Sequence, residues 1–291
     1  MTPIFKTEVG GRAVHRRYAE ILAHWPVAHE QIRLPTREGE TFVVACGPVD
    51  APPLILFHGA QSNAATWMGD VVAWAKHFRV YAVDVIGDVG FSAPSRPSMA
   101  SAAHAVWLDD VLGGLGLTRV SIVGMSLGGW LALDYASRRP ERAQALVLLC
   151  PAGIGRQKNF LLKALPLLLL GSGGARKMRE LVFGPPRRDP TAAQRAFGDF
   201  IALIHTHVVR RVVKIPVLSD ADLARLTMPV MAVVGGKDVL IDSDQTRRRL
   251  ERAVPHADVR YLPDAYHLLP SKTAEVLTFL LAAVPEASSH G

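Results

Sequence analysis

Three side chains in this sequence have the types and order needed to break an acyl bond. The first is Ser126, in Gly124-Met125-Ser126-Leu127-Gly128. The strand-like run "RVSIVG" precedes it, and an apolar run of helical period follows. G-x-S-x-G on a strand-to-helix turn exposes its hydroxyl at the turn's apex. Flanking glycines remove side chains that would collide in so tight a bend. The new helix brings unpaired N–H groups beside the hydroxyl. A helix-capping serine is the plainer alternative, but the strand–turn–helix context favours a nucleophile.

A serine hydroxyl reacts poorly unless a base takes its proton. His267, in "YLPDAYHLLP", follows the strand-like "DVRYL" and is the only histidine between the last core strand and the final helix. His256 comes before that strand and His290 lies in the tail. His205 and His207 form an H-x-H pair, but no carboxylate or cysteine cluster accompanies them, so no metal site is expected. The base needs a carboxylate to hold its tautomer. Asp238 lies just past the buried run "MPVMAVVGG", whereas Asp242 and Asp244 read as the start of the next helix. Asp84 also ends a strand but precedes the serine. At the end of "ALVLLC", where an alternative acid could stand, are Cys150 and Pro151. The order Ser126, Asp238, His267 is that of a Ser…Asp…His triad. Backbone N–H groups of Leu127 and Ala60, the latter in the turn His58-Gly59-Ala60, are the expected oxyanion donors. His58 itself reads as a brace for that turn.

These side chains need a scaffold. "PLILFHG", "RVYAVDV", "RVSIVG", "AQALVLLC" and "MPVMAVVGG" are apolar throughout, as parallel strands buried on both faces are. Helical stretches separate them; in one, Val111, Leu112 and Leu115 follow Leu108 at helical spacings, with Asp109 and Asp110 on the other side. This alternation predicts right-handed crossovers and a doubly wound α/β sheet. Upstream, "EQIRLPTREGETFVVACG" reads as two strands joined near Glu38-Gly39, and "AEILAHW", from Ala19, as a short helix. The alternation breaks between residues 154 and 226, where helical segments are punctuated by Gly171–Gly174 and Pro185-Pro186. The expected division is a core of residues 1–153 and 227–291 with a helical cap of 154–226. Apolar cap residues Phe160, Leu161, Leu167, Leu168, Phe197, Phe200 and Ile204 are candidates for substrate contact, most of the cap's apolar surface being needed for packing. The tail "PEASSHG" reads as loose.

The chain has 291 residues, 49% of them hydrophobic and 20% charged, enough for a large core and unlike a disordered chain. Its formal charge of +7 comes chiefly from arginine, with 25 Arg against 8 Lys. The densest basic cluster is Arg247-Arg248-Arg249, so a solvated helix face is expected and no nucleic-acid partner. Cys46 and Cys150 lie in strand-like runs and read as reduced core thiols. "MTPIFKTEVGG" has no apolar signal core, and the greasiest stretch, "ALPLLLLGSGGA", is too short to span a bilayer. A cytoplasmic monomer or homodimer with no membrane span is the expectation.

In order, "HG", "GMSLGG", "GGKD" and "DAYH" resemble the α/β-hydrolase superfamily over nearly the whole chain. "DVIGDVGFS", from Asp84 to Ser92, is similar to that family's D-x-x-G-x-G-x-S loop with one residue added, a loop usually structural. "HWPV" and "LPTREGETFVVACGP" resemble bacterial carboxylesterases that cleave arylpropionate esters, the naproxen-esterase type. The resemblance implies an α/β-hydrolase fold: an eight-stranded, mostly parallel sheet with helices on both faces, a mobile cap and no cofactor. It does not imply a substrate. The leading expectation is a serine hydrolase acting on small carboxylic esters. A lactonase, thioesterase or carbon–carbon bond hydrolase would share the triad, and a ligand receptor could retain it without turnover.

Overall fold

The computed structural model describes residues 3–159, 171–186, 189–209 and 214–284. Phe160, Leu161, Leu167, Leu168 and the tail from residue 285 lie outside the described residues. The sheet has eight strands: β1 (His29–Thr36), β2 (Gly39–Cys46), β3 (Pro53–Phe57), β4 (Arg79–Val83), β5 (Val120–Met125), β6 (Ala143–Leu149), β7 (Val230–Gly235) and β8 (Asp258–Leu262). Their order is β1-β2-β4-β3-β5-β6-β7-β8. β1 pairs antiparallel with β2, and β2 with β4; the rest of the sheet is parallel. The chain steps from β3 outward to β4, then crosses back to build β5 to β8 on the other side. That reversal opens a crevice at the carboxyl ends of β3 and β5, where ligands bind in open α/β sheets.

Each apolar strand serves two cores at once, because alternate side chains point to opposite faces. In β6, Leu146 and Leu148 face α3 (Ala103–Gly114), α4 (Leu127–Arg138) and α8 (Ser243–Ala253). Ala145, Val147 and Leu149 face the other way, toward α1 (Glu8–Leu22), α2 (Met68–Trp74) and α9 (Thr273–Ala283). Burial on both sides is why these strands carry no polar alternation.

α1 begins well before the helix expected from Ala19. Thr7 caps it, its side chain accepting from the Gly10 N–H at 3.1 Å. At Gly10 and Gly11 the rings of His207 and Phe5 pack against the backbone, leaving no room for a Cβ. Tertiary packing thus overrides a poor local helix propensity.

Between residues 154 and 226 the described residues contain no strand of the sheet. Helices α5 (Gly171–Phe183), α6 (Ala192–His207) and the short α7 (Asp220–Leu223) occupy it. Gly171–Gly174, expected to punctuate or hinge the insertion, instead forms the first turn of α5. α6 lies on α1, and its Phe200 stacks on Tyr18 with ring centroids 6.1 Å apart. Phe200 and Ile204 are enclosed in that core, at 1% and 0% exposure, and present no surface to open space. Phe197 remains half-buried beside them. Phe200→Ala is therefore expected to cost about 3–5 kcal/mol of stability, as large-to-small core changes do, read from urea denaturation.

Candidate active site

The turn after β5 brings Ser126 to the crevice. Ser126 has φ 51°, a left-handed value rare for a side-chain-bearing residue. Its own peptide groups hold it there: the N–H donates to Leu149 O at 2.9 Å, and its carbonyl accepts from Trp130 and Ala152 N–H at 3.1 and 3.0 Å. A Cβ at Gly128 would strike the carbonyls of Phe57 and His58, and one at Gly124 would strike the Gly128 carbonyl. The glycines therefore let the serine turn pack directly on the end of β3, against the loop expected to hold the second oxyanion donor.

Ser126 Oγ lies 2.9 Å from His267 Nε2, and His267 Nδ1 lies 2.6 Å from Asp238 Oδ2. The other carboxylate oxygen of Asp238 accepts from the N–H groups of Leu240 and Ile241 at 2.7 and 3.0 Å. Asp238 is 2% exposed, so its charge is held by hydrogen bonds rather than by water. With Asp238 accepting, Nδ1 carries the proton, and the Nε2 lone pair faces the serine hydroxyl. Asp242 is elsewhere engaged: it caps α8, accepting from Gln245 N–H at 2.9 Å.

Cys150, whose sulfur lies within 4.8 Å of an Asp238 carboxylate oxygen, is buried with φ 43°. Burial, and then the nearby Asp238 charge, push its thiol up to about 12, which leaves it a poor nucleophile. One donor atom from each of Cys150, Asp238 and His267 falls within 4.8 Å of the others, the one such group among the described residues. The Asp238 oxygens are already committed to His267 and two amides, which favours a proton relay over a cation there. His207 of the H-x-H pair packs on Gly10 in α1, outside this group.

His58 is buried and bridges two segments. Its Nδ1–H donates to Gly59 O at 2.8 Å, and its Nε2 accepts from Val85 N–H at 3.0 Å. This is the brace expected from the sequence. Burial pushes the His58 imidazole down to about 4. The unfolded chain, near 6.5, therefore takes up this proton first. The brace contributes fully above pH 6.5, and roughly 3 kcal/mol is lost as pH falls to 4. Asp84 runs the other way, since burial pushes its carboxyl up to about 6 and acid relieves the cost of its charge. Tyr18 Oη–H, Ala64 N–H and Phe91 N–H all donate to that carboxylate. His58→Asn should abolish the loss due to His58, so the stability gap between variant and parent narrows by roughly 3 kcal/mol from pH 7 to pH 4, measured by urea titration.

The insertion reaches this site through hydrogen bonds the sequence did not announce. Lys158 N–H donates to Leu240 O at 2.7 Å, and Asp242 N–H to Arg156 O at 2.9 Å, so the outgoing stem runs beside the loop that carries the acid. Lys158 Nζ donates to the main-chain carbonyl of Asp238 itself at 2.7 Å. The returning stem joins the outgoing one through Leu218 N–H and Gly153 O, 2.8 Å apart. Arg249 grips both stems, donating to Ile154 O and Leu218 O at 2.6 Å each. Farther along, a Cβ at Gly184, just after α5, would come within 2.9 Å of the Tyr266 ring, next in sequence to His267. Leu268, on the other side of His267, is 48% exposed. Tyr266 and Leu268 were invisible as site residues in the sequence, though their adjacency to His267 was the available signal.

Known proteins share this arrangement of chain. A family model described as alpha/beta hydrolase fold matches residues 52–271. Carboxylesterase YbfK of Bacillus subtilis is 30% identical over 291 residues, covering 96% of this chain and 97% of its own. The B. subtilis protein named "Uncharacterized carboxylesterase nap" is 28% identical over 275 residues, 89% of this chain and 87% of its own. Crystal structures of carboxylesterase CesB (YbfK) and naproxen esterase (carboxylesterase NP), both from B. subtilis, match with TM-scores of 0.80 and 0.79 at 28% and 27% identity. Each match covers 95% of this chain, and 100% and 99% of the respective structure.

Proposed function

The chain belongs to the α/β-hydrolase family, and from that premise we propose that it is a serine carboxylesterase working through an acyl-enzyme on Ser126. The observation that carries the reading is the hydrogen-bond chain Ser126–His267–Asp238, at 2.9 and 2.6 Å, on a serine strained out of the regular backbone. In the forward step Ser126 Oγ attacks the ester carbonyl as its proton passes to His267 Nε2. The imidazolium, stabilised by Asp238, then protonates the departing alcohol. Water replaces the alcohol and attacks the acyl carbonyl as its proton passes to His267; the Ser126 Oγ–acyl bond then breaks, Oγ takes that proton back, and the acid is released. Through both steps the tetrahedral oxyanion sits against the N–H groups of Ala60 and Leu127. Leu127 opens α4, so its N–H has no partner within the helix and lies at the positive end of the helix dipole.

Residues 154–226 act in this reading as a helical cap over the core of 1–153 and 227–291. The Gly184–Tyr266 contact and the stem bonded to the acid loop support it. Phe197 and, by their apolar character alone, Phe160, Leu161, Leu167 and Leu168 are the candidates for substrate contact in this reading, while Phe200 and Ile204 seat α6 on the core. Among the described residues no helix is long and apolar enough to cross a membrane. Both cysteines are free and buried, in keeping with a reducing cytoplasm. The substrate partner is a small ester, and the working unit a monomer or homodimer.

The test is a fluorophosphonate label followed by peptide mapping, alongside turnover of a nitrophenyl ester. Labelling at Ser126 together with ester turnover is expected. Label on another serine, or a labelled protein with no hydrolysis of any ester in a broad panel, overturns the reading.

A further inference from the structure

We propose that Asp88 is a positioning residue for the oxyanion hole, acting by holding the peptide next to Ala60. The inference rests on the reading of the Ala60 N–H as an oxyanion donor. Asp88 is the fifth residue of the loop Asp84–Ser92 that follows β4, and it is 9% exposed. Its Oδ2 accepts from the N–H of Gln61 at 3.0 Å, across 27 residues of chain. Its Oδ1 accepts from Val89 N–H at 2.9 Å, which fixes the carboxylate's own orientation.

Among the described residues Gln61 is one of three side-chain-bearing residues with positive φ, at 58°. The others are Ser126 and Cys150, both at the site. Nothing about glutamine favours a left-handed backbone. Something must hold it, and the charge-assisted bond from its N–H to a buried carboxylate does so.

The loop is tied to its neighbour at three points. Val85 N–H meets His58, Asp88 meets Gln61 N–H, and Asp84 meets Ala64 N–H. Ala60 lies between the first two. The Gly59–Ala60 peptide is planar and trans, so its N–H points away from its carbonyl. His58 pins that carbonyl, and Asp88 pins the N–H of the next peptide. Together these bonds leave the Ala60 N–H little freedom to turn from the crevice. A donor fixed before reaction costs no reorganisation when charge develops, and this makes such donors effective.

Four proteins test this: Asp88→Ala, Asp88→Asn, Gln61→Gly, and the Asp88→Ala/Gln61→Gly double variant. A fifth replaces the residue at Ala60 by lactic acid through nonsense suppression, turning the amide into an ester that lacks the N–H. Each is assayed on a nitrophenyl ester and for inhibition by an aryl trifluoromethyl ketone. That ketone adds the Ser126 oxygen to its carbonyl carbon; the π electrons move to the oxygen and the serine proton to His267. The product mimics the tetrahedral intermediate.

Asp88→Ala is expected to lower kcat at least tenfold with KM nearly unchanged, and to weaken the ketone by a similar factor. Asp88→Asn should give a smaller loss of the same kind, because one acceptor oxygen remains. Gln61→Gly alone should be close to the parent, and should restore much of kcat in the double variant, since glycine takes positive φ without strain. Added to the Ala60 ester, Asp88→Ala should lower kcat little further.

The proposal is overturned if Asp88 variants lose only thermal stability while kcat and ketone affinity stay intact. It is equally overturned if Asp88→Ala lowers kcat as much in the ester protein as in the parent. If instead the Ala60 ester alone leaves kcat unchanged, the oxyanion reading itself fails. That result is separable, because it does not involve Asp88. Should Asp88→Ala not fold, Asp88→Asn carries the same comparisons.

Discussion

Ser126→Ala is expected to fold and bind substrate but to turn over esters about 10⁶-fold more slowly than the parent. Oγ is the only heavy atom removed, and the elbow does not depend on it. Its geometry comes from Ser126 main-chain bonds to Leu149, Trp130 and Ala152, which alanine retains. The residual rate, about 10³–10⁴ over water, is what the oxyanion donors and binding supply on their own. The same variant should take no fluorophosphonate label. Its melting temperature should match the parent within a few degrees. A shift much beyond that would mean the hydroxyl also holds the turn together, and the loss of rate could not then be assigned to chemistry. A rate within tenfold of the parent would remove Ser126 from the mechanism.

The next largest effect belongs to Asp238. Asp238→Asn should leave the fold intact yet lower kcat by about 10⁴. Asparagine can place its oxygen toward Leu240 and Ile241 N–H, which Asp238 Oδ1 now satisfies. Its NH₂ then faces His267 Nδ1 and donates where the carboxylate accepted. The imidazole is forced to the tautomer with its proton on Nε2, toward Ser126, and can no longer act as base. Raising the pH would not recover the rate, because the fault is tautomeric. The comparison variant is Asp242→Asn. Asparagine caps a helix as well as aspartate, so Asp242→Asn should change kcat less than threefold. If the two variants exchanged these outcomes, the acid would be misassigned.

Much of the site can be read without coordinates because its parts are governed by near neighbours. Gly124, Ser126 and Gly128 announce an elbow by sterics alone. The apolar runs that become β3 to β7 differ from their surroundings within a window of a few residues. Chain order then narrows the acid and the base to Asp238 and His267. Even the tie between His58 and its turn is local, spanning one residue.

Other features depend on which strand lies beside which. Asp88 meets Gln61 because β4 and β3 are neighbours, and Lys158 meets Asp238 because the insertion leaves beside β7. Those partners are 27 and 80 residues apart, and no periodicity records such a meeting. The start of α1 at Glu8, well before Ala19, is hidden for the same reason: the rings packed on Gly10 and Gly11 come from Phe5 and from distant His207. The apolar face of α6 was plain from its spacing, but spacing cannot say whether Phe200 meets substrate or Tyr18. By itself the sequence determined the strands, the serine elbow and the chain order of Ser126, Asp238 and His267, since these follow from local period, sterics and position along the chain. Tertiary structure alone decided the bond from Gln61 N–H to Asp88, the docking of α6 on α1 and the bond between Lys158 and Asp238, since each joins groups distant in the chain that only the folded sheet and its helices bring together.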